Sequence, residues 1–67
     1  MKFKVGDKIQ CINVFPTYFR IGMIERTERN TYIIKWRDAW RTYTYDTADI
    51  ECNYINYNSV EAQVERL

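Results

Sequence analysis

Histidine is absent from the chain, and cysteine occurs twice, as Cys11 and Cys52. The commonest general base is therefore missing. Two thiolates alone cannot complete a closed tetrahedral zinc site, so no metal ligand set is read here. Neither thiol has a basic residue at a spacing that would activate it, and both are expected to point inward as small core residues. The carboxylates are scattered over turn-like segments, with no pair set across a cleft. No catalytic residue and no cofactor are assigned, and the chain is read as not an enzyme. The chemistry that remains belongs to cations and rings. Arg20, Arg26, Arg29, Lys35, Arg37 and Arg41 fall on or beside successive strand-like segments. With aromatics nearby, that pattern suits phosphate contact and base stacking. It equally suits a solvated strand face whose charges discourage edge-to-edge association.

The elements that must position these groups belong to a single small domain of 67 residues. A chain this short buries only about 60% of its unfolded surface. Two Trp, six Tyr and three Phe supply apolar area in few positions, enough for one tight core but not for a deep substrate cavity as well. Net charge is +1 but unevenly spread: residues 1–41 carry nine Lys and Arg against four Asp and Glu, residues 42–67 one against five. A mildly basic body with an acidic tail is compatible with nucleic acid without requiring it. Neither a signal peptide nor a membrane span is read from the sequence, so a cytoplasmic, reducing setting is expected. The preference for Ile, Asn, Tyr and Lys is that of AT-rich coding sequence, as in bacteriophage and some bacterial genomes.

Along the chain, Lys8-Ile9-Gln10-Cys11 alternates as a half-buried strand, which Phe15-Pro16-Thr17 ends. Ile21 to Arg26 is a second strand, and Thr27 to Asn30 a hairpin turn in which Asn30 best tolerates a left-handed conformation. From Thr31 to Arg37, Tyr32, Ile34 and Trp36 share one face while Thr31, Ile33, Lys35 and Arg37 share the other. Asp38-Ala39 is expected to turn into a return strand over Trp40 to Tyr45. Asp46 to Asp49 suits one helical turn, and Ile50-Glu51-Cys52 a short final strand. Asn58 and Glu61 then carry a capping-box signature, and Val60, Val64 and Leu67 recur at helical spacing. This terminal helix is shorter than the ~12–15 residues that are marginal alone, so it must dock on the barrel or on a partner.

Val5-Gly6-Asp7-Lys8-Ile9, Gly22-Met23-Ile24, Tyr32-x-Ile34-x-Trp36-x-Asp38, Tyr45 and Asp49-Ile50 follow an order that resembles Tudor-like and related SH3-like barrels. The likeness covers roughly residues 3–52, with Ala39 standing where those barrels usually have glycine. It implies an all-β fold, a five-stranded SH3-like (Tudor-like) barrel over residues 1–57 with a short C-terminal α-helix over 58–67. Ile9, Cys11, Gly22, Ile24, Tyr32, Ile34, Trp36, Tyr45 and Ile50 would face inward. First and last strands are often neighbours in such barrels, which would bring Cys11 near Cys52; reduced thiols are expected there, with a disulfide left open.

The resemblance also implies a partner site. Tudor-like domains often hold a methylated Lys or Arg in an aromatic cage, and here the matching positions are Tyr18 and Phe19 in the first loop, Trp40 and Tyr43 in the third hairpin, and Asp38 for a carboxylate. The same rings could simply fill the core and cover a barrel end. The functional expectation is a non-enzymatic protein-binding module, of the kind a phage-type inhibitor or adaptor docking on a host protein would be. The alternative is a nucleic-acid-binding module using the basic strand face.

Overall fold

The structure is a computed structural model that describes residues 1–14 and 18–57. In chain order it contains β1 (Lys8–Cys11), β2 (Ile21–Glu28), β3 (Thr31–Trp36), β4 (Thr42–Asp46), α1 (Thr47–Asn53) and β5 (Tyr54–Asn56). All pairings are antiparallel, in a single sheet of order β4-β3-β2-β1-β5. The sheet is open, with β4 and β5 as its edges.

The Val5-Gly6-Asp7 segment shows why β1 begins where it does. Gly6 has φ of +93°, a conformation that disfavours any Cβ. Its N–H donates to Ile24 O at 2.8 Å, and Ile24 N–H donates back to Asp7 O at 2.8 Å. The Asp7 carboxylate accepts from Lys4 N–H at 3.0 Å and closes the turn. The chain is thereby pinned to the middle of β2 before β1 pairs with it. A register shift between Ile24 and Arg26 inserts a bulge into β2, which bends the strand.

Alternation decides the faces. Ile9, Ile24, Tyr32, Ile34 and Trp36 are fully buried on the inner side, with Cys11 and Ile50 beside them. Ile9, Gly22 and Trp36 form one cross-strand rung. Gly22 leaves the space that the indole fills, for a Cβ there would stand 2.5 Å from Trp36 Cε3. Four other rings crowd this inner face. Phe19, Tyr45 and Tyr54 have their centroids 5.4–5.7 Å from that of Trp36, and Tyr43 lies 5.9 Å from Phe19.

Several sequence expectations need correction. Ile50-Glu51-Cys52 is not the last strand but part of α1, and β5 forms after it. The helix runs from the end of β4 to the start of β5, and Ile50 seals the core from it. Phe3 and Tyr54, which the sequence reading did not select, belong to the core. Tyr45 does face inward but is only partly buried, because β4 is an edge strand. Cys52 is exposed on α1 while Cys11 is buried, and both are free thiols. Asn30 has no left-handed backbone. β4 begins at Thr42, so Trp40 and Arg41 lie in the connection before it. The expected terminal helix from Asn58 to Leu67 and the strand stop at Phe15-Pro16-Thr17 lie outside the described residues.

Candidate functional site

Two surfaces carry the residues singled out above. The first is the sheet end where β1 finishes, β2 begins, β3 finishes and β4 begins. Tyr18 lies tilted against Tyr45 with centroids 4.4 Å apart, and Phe19 lies 5.6 Å from Trp36. Tyr43 faces Tyr45 at 6.3 Å and carries the Arg41 guanidinium 4.8 Å from its centroid. These rings are held in place by polar contacts: Tyr54 OH donates to Phe19 O, and Trp36 Nε1 donates to Tyr45 OH at 2.9 Å. Burial pushes the Tyr45 and Tyr54 phenols up from their ordinary value, because the phenolate would lose its hydration. Tyr18, Phe19 and Tyr43 thus form one wall packed on the core.

Trp40 stands apart from that wall. It is 88% exposed and has no aromatic neighbour among the described residues. Its connection is nonetheless anchored. Ala39 N–H donates to Trp36 O at 3.3 Å, and the Lys35 ammonium donates to Ala39 O and to Trp36 O. Asp38 is exposed, and among the described residues its one ion pair is with Arg37, at 3.8 Å. On the other side, Arg20 donates to Asn13 O and Val14 O at 3.2 and 2.7 Å, which ties the first loop to the same sheet end.

The second surface is the outer face of β1–β3. A cleft of about 280 Å³ lies there, lined by side chains that include Lys8, Met23, Lys35, Arg37 and Tyr57. Of the six cations selected from sequence, only Lys35 and Arg37 line it. Arg26 pairs with Glu28 at 3.1 Å, Arg29 sits in the β2–β3 turn, and Arg20 and Arg41 are engaged as described. Lys8 and Tyr57 were missed. The alternation of β1 does turn Lys8 outward, but its position beside Lys35 depends on strand register, and that of Tyr57 on a β5 the sequence placed elsewhere.

A third cluster ties the N-terminal segment to the helix. Tyr32 OH donates to the Glu51 carboxylate and accepts from Phe3 N–H at 3.1 Å, while Lys2 N–H donates to the same Glu51 oxygen at 2.9 Å. The Tyr32 and Lys2 donors hold the Glu51 carboxyl below its ordinary value. Burial, and then the adjoining carboxylate, push the Tyr32 phenol up. This cluster is a structural clasp.

Among the described residues no group of three or more His, Cys, Asp or Glu could hold a metal ion, and no helix is long and apolar enough to cross a membrane. No protein-family model, no curated protein and no solved structure matches this chain.

Proposed function

We propose that this chain is a small SH3-like barrel acting as a non-enzymatic protein-binding module, docking through Trp40 at the sheet end. The fold part of this reading is supported by the strand order and by the pairing of β1 with both β2 and β5. The Gly6 turn at the head of β1 also fits the resemblance. The observation that carries the function is Trp40 itself. A tryptophan almost wholly in water gains nothing for the fold, yet its connection is braced by Lys35 and Ala39. A large ring on an ordered support loses little freedom on binding, and tryptophan is enriched among residues that dominate interface energy. Arg41 follows it directly in the chain and adds a cation, so the complementary surface is an apolar pocket with a carboxylate rim.

The test is capture from nuclease-treated lysate by tagged wild type and by Trp40→Ala. An exposed position leaves folding stability within about 0.5 kcal/mol, which a thermal melt would verify. A discrete protein band is expected with wild type, weakened by more than about tenfold in the variant, as a central anchor requires. Undiminished capture by Trp40→Ala would defeat the proposal.

A further inference from the structure

We infer that the outer cleft of β1–β3 binds single-stranded nucleic acid, with phosphates on Lys8, Lys35 and Arg37 and a base against Tyr57. This goes beyond the Trp40 surface and uses a different face. Lys8 pairs with Met23, and Met23 pairs with Lys35, so the two lysines flank one methionine in a single cross-strand row. Strands sit ~4.8 Å apart, which sets the two lysine backbones ~10 Å from each other. Arg37 N–H donates to Ile21 O at 2.9 Å and brings the guanidinium to the head of the cleft. Tyr57 N–H donates to Lys8 O at 2.6 Å and brings its ring to the side of Lys8.

The charge of this lining is one-sided. It contains three cations and no carboxylate, in a chain whose net charge is only +1. Lys8 has no ion pair among the described residues, Lys35 donates only to neutral carbonyls, and the Arg37–Asp38 contact is an exposed pair of little strength. Their charges are therefore uncompensated within the cleft. Ile21 and Met23 form an apolar floor between them, and Met23 is partly open to solvent. Cations around a flat apolar floor with a ring at one side are the parts that bind a strand of phosphates and stacked bases without reading sequence. The volume lies at the small end of ligand sites, room for one base rather than for a large cofactor.

The test titrates the full chain into fluorescently labelled oligo-dT at low and raised salt, with thymidine monophosphate, duplex DNA and a polyglutamate peptide as competitors. Neutralising three phosphates of a single strand gives a log–log salt slope of about −2, so affinity should fall about 20-fold between 50 and 200 mM salt. Lys8→Glu should flatten that slope and weaken binding at least about tenfold, and Tyr57→Ala should cost about tenfold through lost stacking. Trp40→Ala should leave oligo-dT binding unchanged, which separates this site from the protein-docking surface. Lys8 is exposed, so its variant reads binding even if Tyr57→Ala disturbs β5. No binding at low salt would overturn the inference, as would binding indifferent to Lys8→Glu or lost only with Trp40→Ala. Equal competition by the monophosphate, by duplex DNA or by polyglutamate would overturn it in favour of that other ligand.

Discussion

The inner and outer faces of β1–β3 are made by the same strands in alternation, yet they treat polar groups in opposite ways. On the inner face the indole N–H of Trp36 and the hydroxyls of Tyr32 and Tyr54 all find acceptors. Burial makes those bonds obligatory, since an unpaired buried donor costs about as much as the burial of its ring gains. On the outer face Lys8 and Lys35 flank Met23 without any carboxylate in the cleft. Lys8 is exposed to water and Lys35 donates to the carbonyls of Trp36 and Ala39, so neither is neutralised by a carboxylate there. Gln10 crosses this division. It points outward by alternation, yet it is only 7% exposed, and its Oε1 has no hydrogen-bond partner among the described residues. The inner face is thus committed to stability, while the outer face holds charge that the fold leaves unneutralised.

The largest effect should come from breaking the inner face at its tightest point. Gly22→Ala would set a methyl 2.5 Å from Trp36 Cε3 and 3.0 Å from Ile34 Cγ2. Trp36 is fully buried and hemmed by three rings, so it has no room to turn away. Overpacking of this kind costs ~1–3 kcal/mol, and the upper end is expected here. A domain this small has only ~3–5 kcal/mol to lose, so much of the protein should be unfolded at 37 °C by circular dichroism. A melting midpoint unchanged from wild type would mean that β2 and β3 separate more readily than their pairing suggests.

The parts of this architecture readable in sequence were those set by local alternation. Tyr32, Ile34 and Trp36 declare their face within β3, and Lys8 to Cys11 declare theirs within β1. Val5-Gly6-Asp7 stood out only through the resemblance, and the left-handed turn at Gly6 became visible in the structure. Ile50-Glu51-Cys52 was misread because three residues with apolar ends satisfy a strand period and a helix equally well. What decided it was a distant contact, Ile50 closing over a core made by other strands. The same limit hid the outer cleft. Lys35 and Arg37 were visible as outward cations, but Lys8 and Tyr57 join them only through the β1–β2 and β1–β5 registers. Trp40 was singled out by resemblance; its isolation from the other rings depended on β4 starting at Thr42.

A smaller effect is expected at the clasp between the sheet and α1. Tyr32→Phe keeps the ring but removes the oxygen that accepts from Phe3 N–H and donates to Glu51. Leaving a buried N–H unpaired costs ~1–3 kcal/mol, and about 2 kcal/mol is expected from urea unfolding at pH 7. The loss should depend on pH. Because Glu51 is held below its ordinary value near 4.5, its contribution is present above that value. It disappears as pH falls through the lowered folded-state value. The gap between wild type and Tyr32→Phe should therefore narrow as the pH is taken from 7 towards 3. A gap of constant size would show that Glu51 gives the hydroxyl no help.

The smallest effect, and the one of opposite sign, should come from Gln10. Its carbonyl oxygen lies buried on the outer face, with no donor to it among the described residues. Gln10→Met keeps the length and shape of the side chain while removing the orphaned acceptor, so packing between Ile21 and Ile55 is preserved. The desolvation cost of such a group is ~1–3 kcal/mol, and partial recovery of about 1 kcal/mol should appear as a higher urea midpoint at unchanged slope. The substitution places no charge and no new volume on the outer face, so oligo-dT binding should be untouched. A stabilised variant with intact binding would show that the division between the faces can be sharpened without loss. A destabilised one would mean that Gln10 has a donor in solution and belongs with the paired groups of the inner face.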